Sequence, residues 1–424
     1  MKSEIPSKTF ADALTYLLSL GHETLTIKLG LASTETLLSA LRDPHKSFPA
    51  VQIAGTNGKG STAAALDSIC RAAGIRTGLF TSPHLISITE RIKINGRDLS
   101  EADFARLTVR VKAAAEQLIE QGRLATLPTF FEHVTAIALV AFREANIELG
   151  ILETGLGGRL DSTTAARAEI VAITPIAMDH EEYLGHTLAE IAAEKAAIIR
   201  SGVTTIVAPQ SDEAWTVILR QCQAAGVVPK LVAANSDNDV SISLRGRHQV
   251  TNAATAIALA EALRERGFAI PQEAIKHGLE SVVHPGRLEY WKGEPQMLFD
   301  GAHNPAAARS LRAYLDEYTS DSITIIFGAM RDKALAEMAA TLFPKADELI
   351  LTELDNPRAA NIERLTAVVP ENFEKIRMHR SASAAEALAI ARRVTPRNGL
   401  ICVTGSLHLV GAVHQILKEH SDSV

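Results

Sequence analysis

Ala54-Gly55-Thr56-Asn57-Gly58-Lys59-Gly60-Ser61-Thr62 makes a specific physical demand: it is suited to hold phosphate. Val51 to Ala54 reads as the end of a buried strand, and Ser61 opens an alanine-rich helix whose apolar stripe continues through Ile69. Gly55, Gly58 and Gly60 let the backbone take positive φ and gather N–H groups around an anion, and the helix start adds the positive end of its dipole. Lys59 offers a point charge for the β- and γ-phosphates, and Ser61 a hydroxyl for the Mg²⁺ that bridges them. The spacing G-x-x-G-K-G-S is a variant of G-x-x-x-x-G-K-[ST], two residues shorter before the second glycine and with Gly60 inserted after the lysine. An isolated G-K-G-S serves equally as a glycine turn with a solvated lysine; the strand before it and the helix after it favour the phosphate loop.

The rest of the chain has room for more than this unit. At 424 residues it exceeds one ordinary core, and two domains are expected. Its net charge of −6 and aromatic content of 4% leave neither an electrostatic footprint nor a stacking platform for nucleic acid. Cys70, Cys222 and Cys402 form no C-x-x-C pair, which argues against a zinc site or disulfide framework and fits a reducing compartment. Residues 1–6 carry no apolar signal core, and no apolar run approaches about 18 residues. A soluble, cytoplasmic protein without membrane partners is expected.

Residues 8–42 read as two helices covering the sheet, with Phe10, Leu14, Leu17 and Leu18 on one stripe and Leu37, Leu38 and Leu41 on another. Residues 75–80 read as a second strand that runs into Ser82-Pro-His-Leu85, at the strand end where open α/β sheets bind ligands. Residues 90–96 alternate as a strand turning at Asn95-Gly96, where Arg91 and Lys93 are edge-strand surface charges or contacts to an anionic substrate. Thr129 leads into an apolar helix through Phe142, in which Phe131 is core or a platform for a flat heterocycle. Glu153 ends the strand at 149–154, before Gly155-Leu-Gly-Gly-Arg-Leu-Asp161; a carboxylate at a strand tip beside a phosphate loop suits a metal ion. His180 follows the strand at 170–174 and is a candidate second ligand. Lys195 stands about two turns into a helix opened by the Thr187/Glu190 capping box, where a lysine is ordinarily solvated. Strands are also expected at 203–208 and, weakly, in 227–244. Asn252 lies near the start of a helix from His248 to about Arg266, as a cap or as an amide for an adenine edge.

A Pro-Gly turn near residues 283–288 marks a boundary. From Gln296, strands near 296–300, 323–328, 348–352, 375–379 and 399–404 alternate with helices, the pattern of a second, smaller doubly wound α/β domain. Its Asp300-Gly-Ala-His-Asn-Pro305 places a cap and an N1 proline after a strand, leaving Asp300 and His303 exposed at the sheet edge. The expected organisation is 1–284, a linker at 285–295, and 296–424.

Together these residues resemble the folylpolyglutamate synthase and dihydrofolate synthase family of the Mur ligase superfamily, over nearly the whole chain. The signatures are the phosphate loop, Ser82-Pro-His-Leu, Glu90-Arg-Ile, Glu153-Thr-Gly-Leu-Gly-Gly-Arg-Leu-Asp, Asp179-His, Tyr183-Leu-Gly, Glu194-Lys, Pro285-Gly-Arg, Asp300-Gly-Ala-His-Asn-Pro, Asp332-Lys, Pro357-Arg and Gly405-Ser-Leu. The resemblance implies a P-loop-containing Mur-ligase-type ATPase domain followed by a Rossmann-like glutamate-ligase domain. It further implies an ATP-dependent ligase that phosphorylates a pteroate or folate carboxylate and joins L-glutamate to the acyl phosphate. By matching motifs, Gly55 to Thr62, Asn252, Arg287 and Asp300 would contact ATP. Ser61, Glu153 and His180 would serve two Mg²⁺ ions, with Lys195 similar to a family lysine that CO₂ carboxylates into a metal ligand. Lys59, Lys195 and His303 would be catalytic, and Arg91, Thr129, Phe131 and Asp161 would face the substrate. Asp332 and Lys333 would belong to the surface between the domains, and the family is usually monomeric.

Three positions depart from the family pattern: Gln52 where histidine is common, Ser162-Thr-Thr where Ala-Thr-Asn is common, and Glu181 after Asp-His. The rival readings are another Mur-type amino-acid ligase and a P-loop ATPase that uses nucleotide as a switch. The second has no need of a further α/β domain with its own polar strand ends.

Overall fold

The computed structural model describes residues 9–21, 30–233, 241–319, 322–370 and 377–421. Residues 1–6, part of the expected first helical region, the middle of the 227–244 extension, and 375–376 lie outside the described residues. The first sheet contains β1 (Ala50–Ala54), β2 (Thr77–Phe80), β3 (Ile92–Ile94), β4 (Arg97–Asp98), β5 (Leu149–Glu153), β6 (Ile170–Ile173), β7 (Thr204–Val207) and β8 (Lys230–Leu231). The second contains β9 (Glu289–Trp291), β10 (Gln296–Phe299), β11 (Ile323–Phe327), β12 (Glu348–Thr352), β13 (Arg377–Ser381) and β14 (Leu400–Thr404).

The first sheet runs β4-β3-β2-β5-β1-β6-β7-β8, parallel except for the β3–β4 hairpin at its edge. β1 and β5 are buried along their whole length, as near-continuous apolar strands must be when helices cover both faces of a parallel sheet. Helices Lys59–Ala72, His248–Glu265 and Gln272–Ser281 enclose one core, around Val51, Leu66 and Leu259. Helices Glu101–Glu120 and Phe130–Glu144 enclose another, around Phe80, Phe104 and Phe142. β1 stands between β5 and β6 while its helix leads to β2, beyond β5. Connections therefore diverge around β1, and the loops after β1, β5 and β6 open at one crevice.

The second sheet runs β13-β12-β11-β14-β10-β9, parallel except for β9. The stretch expected as a linker thus contributes an edge strand: Glu289–Trp291 pairs antiparallel with β10. Asn304 caps the helix Pro305–Tyr318, accepting from Ala307 N at 2.9 Å, with Pro305 at its first turn as expected. No helix among the described residues is long and apolar enough to cross a membrane.

Candidate active site

The phosphate loop is shaped by what surrounds its glycines. Gly55 has φ +146°, and a Cβ there would lie 1.9 Å from the Thr174 hydroxyl; Gly58, at φ +87°, lies against the Asn252 carboxamide. Thr56 N and Asn57 N both donate to Pro175 O at 3.1 Å, tying the loop to the segment after β6. The helix begins at Lys59 rather than at Ser61 as the sequence suggested. Gly60 is therefore its second residue, and a Cβ on it would sit 2.9 Å from His284 Nε2. Here the inserted glycine serves close packing rather than positive φ.

This loop forms one wall of a cleft of about 670 Å³ between the two sheets. The residues assigned to ATP, metal, catalysis and substrate line the cleft except Gly55 and Thr62; Lys333 lines it too, whereas Lys93 and Asp332 do not. Thr62 is fully buried, and its hydroxyl has no hydrogen-bond partner among the described residues. Lys59 Nζ donates to Gly55 O at 3.2 Å and Thr56 O at 3.1 Å. Glu153 is buried at the end of β5, accepting from Ser82 N at 3.0 Å. Burial pushes the Glu153 carboxyl up and the Lys59 ammonium down, and their mutual attraction opposes both shifts.

Lys195 is buried rather than solvated on its helix. Gly158 makes this possible: a Cβ there would lie 2.9 Å from the carbonyl oxygens of Glu194 and Lys195, so the backbone of the helix Leu188–Ala196 rests on the glycine. Burial, then repulsion by Lys59, takes the Lys195 amine down to about 7. His180 stands in the left-handed region at φ 53°. Burial and then Lys333 lower its imidazole to about 3, so it is a neutral donor of lone pairs. Glu181 turns away to the surface, 3.8 Å from His186 Nδ1.

Asn252 does not cap its helix: the helix starts at His248, with Arg247 at the cap position and no side-chain cap bond. Its Nδ2 donates to Gln249 Oε1 at 2.8 Å, and Gln249 Nε2 to Ser61 Oγ at 3.3 Å. Gln249 gave no signal in the sequence, where it is one polar residue of a helical turn. Asp300 is buried rather than exposed, with its oxygens accepting from Leu288 N and Ala302 N at 3.0 Å each. Burial raises its carboxyl, and the neighbouring Arg287 opposes the rise. Arg287 lies across Gly301, where a Cβ would meet its Nη1 at 2.4 Å. His303 Nδ1 contacts Gly301 O at 2.8 Å, turning Nε2 toward Asp179 at 3.6 Å.

Arg91 ends a 3-10 turn before β3 and is buried, not a surface charge. Its Nε donates to His84 Nδ1 at 2.9 Å, and its guanidinium lies 5.6 Å from the Phe130 ring centroid. Lys93 instead pairs with Asp98 on the hairpin. Burial, then the Arg91 charge, holds His84 down at about 3. Thr129 caps the helix Phe130–Glu144, with its hydroxyl engaged by Glu132. The far end of the Phe131 ring meets the loop backbone so closely that a Cβ at Gly155 would come within 2.4 Å of it, and the ring centroid lies 5.8 Å from that of Phe80. Asp161 is buried, accepting from Leu156 N and Thr163 N at 2.9 Å.

Among the described residues no three His, Cys, Asp or Glu side chains converge as a metal cage. The oxygen donors present, Ser61 and Glu153 beside a phosphate loop, nevertheless suit Mg²⁺. That ion keeps water ligands and commonly takes one or two carboxylates together with substrate phosphates.

Comparison with known proteins gives a consistent result. Residues 53–238 match the family described as Mur ligase middle domain, and residues 286–407 the Mur ligase, glutamate ligase domain. The chain is 32% identical to dihydrofolate synthase/folylpolyglutamate synthase of Bacillus subtilis, covering 92% of this chain and 96% of that one. It is 36% identical to the probable bifunctional folylpolyglutamate synthase/dihydropteroate synthase of Halobacterium salinarum, over 90% of this chain and 49% of the other. The chain thus spans about half the length of the first curated relatives it matches. The solved structure of Escherichia coli FolC in complex with DHPP and ADP superposes with a TM-score of 0.87 at 30% identity, covering 98% of this chain and 99% of that one.

Proposed function

The chain belongs to the dihydrofolate synthase/folylpolyglutamate synthase family of Mur ligases, and from that premise we propose that it joins L-glutamate to dihydropteroate, to reduced folates, or to both, at the expense of ATP. The carrying observation is that loops after β1, β5 and β6 of one sheet and β10 of the other meet in a single cleft. There the half-buried Lys59 and the buried Glu153, Lys195 and Asp300 stand among backbone donors. The complex of the Escherichia coli neighbour with DHPP and ADP supports the same pairing of ligands.

A carboxylate is a poor electrophile until one oxygen becomes a leaving group. In this reading the acceptor carboxylate attacks the γ-phosphorus of ATP and ADP departs. The glutamate amine then attacks the acyl phosphate, and inorganic phosphate leaves with an amide formed. Lys59 and the loop N–H groups hold the phosphates and offset the charge of transfer. Ser61, Glu153 and His180 would hold Mg²⁺, which supplies further charge neutralisation when bound, and Lys195 would serve a second ion as its carboxylated form. Asn252, Arg287 and Asp300 border the nucleotide, His303 faces the glutamate and phosphate end, and Arg91, against the Phe130 ring, stands on the pteridine side. Thr129, Phe131 and Asp161 form the pteridine wall. Residues 1–284 make the ATP-binding unit and 296–424 the glutamate-ligase unit, joined through 285–295. The enzyme is taken to be monomeric, as the family it resembles usually is.

The test is ADP release with Mg²⁺ and L-glutamate, comparing dihydropteroate and tetrahydrofolate, with products identified by mass. A product heavier by one glutamyl unit is expected from at least one acceptor. Absence of a glutamate-dependent product from both overturns the reading and directs attention to other acyl acceptors.

Gly155→Ala tests the pteridine wall separately. Gly155 is outside the left-handed region, so the added methyl acts by displacing the Phe131 ring rather than by backbone strain. The KM for the pteridine acceptor is expected to rise about tenfold, the cost of roughly 1.4 kcal/mol of lost apolar contact, with the KM for ATP unchanged. An unchanged acceptor KM removes Phe131 from the substrate wall.

A further inference from the structure

Four polar side chains outside the catalytic assignments above join the two α/β units at the floor of the cleft. The Asn304 carboxamide does three things at once. Its Oδ1 caps its own helix, and its Nδ2 donates to Asn57 Oδ1 of the phosphate loop at 2.9 Å and to Asp179 Oδ2 at 3.1 Å. Asp179 accepts on its other oxygen from Lys333 Nζ at 2.6 Å and from His180 N at 2.9 Å. Asn304 is 1% exposed, and the Asp179 and Lys333 side chains are 6% and 8% exposed. Water therefore does not substitute readily for any of these bonds.

We infer that Asn304, with the Asp179–Lys333 ion pair behind it, is a positioning group that couples the state of the phosphate loop to closure of the glutamate-ligase unit. Asn57 belongs to the loop that holds the nucleotide, and its backbone is tied to Pro175 O, four residues before Asp179. A movement of that loop thus reaches Asn304 by two routes, through Asn57 directly and through the segment ending at Asp179. Asn304 in turn fixes the first turn of the helix Pro305–Tyr318. Lys333, on the loop after β11, gives the same carboxylate a second grip on the other unit. The consequence is specific to a two-step ligation. If the units close only when nucleotide phosphates order the loop, the acyl phosphate forms where water is excluded. Without the coupling, water attacks the acyl phosphate and returns the free acceptor acid and inorganic phosphate.

This inference rests on the ligase reading. Asn304→Ser is the informative variant, because serine preserves the helix cap while removing both bonds that Asn304 Nδ2 donates across the cleft, the remaining contact being the long 3.5 Å one from Asn57 Nδ2 to Oδ1. Lys333→Met removes the ion pair without touching the cap. The first measurement is hydrogen exchange of the whole protein with and without the non-hydrolysable probe AMP-PNP and Mg²⁺. In wild type, residues 55–62 and 305–318 are expected to gain protection together; in Asn304→Ser, only 55–62 gains it. The second is ATP consumed per amide formed, expected to rise from about one to about three or more in both variants as closure fails. Protection of 305–318 by AMP-PNP in Asn304→Ser equal to that in wild type overturns the coupling. So does a parallel fall of both rates with the ratio still at one, which marks a purely structural or directly catalytic role. Failure of AMP-PNP to protect residues 55–62 in wild type overturns the nucleotide reading, and the coupling with it. A wild type that protects both segments but forms no amide with either acceptor refutes the ligase assignment while leaving the coupling supported.

Discussion

Lys59→Ala is expected to lower the kcat/KM for ATP by about a thousandfold, roughly 4 kcal/mol of transition-state stabilisation. The size follows from the setting. Phosphoryl transfer from ATP to a carboxylate brings two anions together, and of the cations lining the cleft Lys59 is the one carried by the phosphate loop itself. Lys59 is half-buried in the cleft, with the buried Glu153 at the end of β5 as its strongest charged neighbour, so its charge is only partly screened by water. Its ammonium donates to Gly55 O and Thr56 O, within the glycine turn itself. Glu153 loses its main compensating charge in this variant and shifts further toward its protonated form, which also weakens it as a metal donor. Arginine is not expected to rescue the loss, because a planar fork does not occupy the place of a compact ammonium. The check is steady-state ADP release together with a thermal melt. A folded variant that keeps more than a tenth of wild-type kcat/KM takes Lys59 out of the transfer step.

The phosphate loop, the alternation of strands and helices from Gln296 onward, and the polar strand ends were legible in the sequence because each rests on local chemistry: glycines between a strand and a helix, capping residues, and carboxylates where apolar runs stop. What was not legible was burial. Arg91, Lys195 and Asp300 each have an ordinary surface reading in their own segments, and each is buried by elements distant in the chain. Lys195 is enclosed because Gly158 lets a helix backbone approach, and Arg91 because His84 and Phe130 close over it. Gln249, His84 and Asp179 were missed or left without a role for the same reason, since their partners come from other strands and helices.

Two of the departures from the family pattern prove to be a single feature. Gln52 Nε2, buried in β1, lies 3.1 Å from Thr154 Oγ1, 3.0 Å from Thr163 Oγ1 and 2.7 Å from Thr164 Oγ1. The change at residue 52 and the changes after Asp161 thus meet in one hydrogen-bonded cluster beneath the acceptor loop. Sequence reading took them separately because Gln52 and Thr163 are 111 positions apart in the chain.

Lys195→Ala is expected to lower kcat by about a hundredfold or more, in the range found when an electrostatic group of a transfer site is removed. Wild-type activity should also show a pH dependence that the variant loses. CO₂ adds only to a neutral amine. Burial and the nearby Lys59 charge bring the Lys195 amine down to about 7, against about 10.4 for a solvated lysine. At pH 8 most of the amine is neutral and able to react, whereas at pH 6 most is protonated. At fixed dissolved CO₂ the carboxylated fraction, and with it the rate, should therefore climb between pH 6 and 8. Lowering dissolved CO₂ should depress the rate by the larger factor at the acid end, where the carboxylated fraction is furthest from saturation, and short carboxylic acids should partly restore Lys195→Ala by supplying the missing anion. Lys195→Met separates chemistry from folding. Below pH 7 the folded wild type must carry a buried ammonium against its burial cost, so at pH 6 the methionine variant is expected to melt no lower than wild type while remaining inactive. An active Lys195→Met, or a wild-type rate indifferent to CO₂ throughout this range, removes the carboxylated lysine from the mechanism and leaves its metal to Ser61, Glu153 and His180.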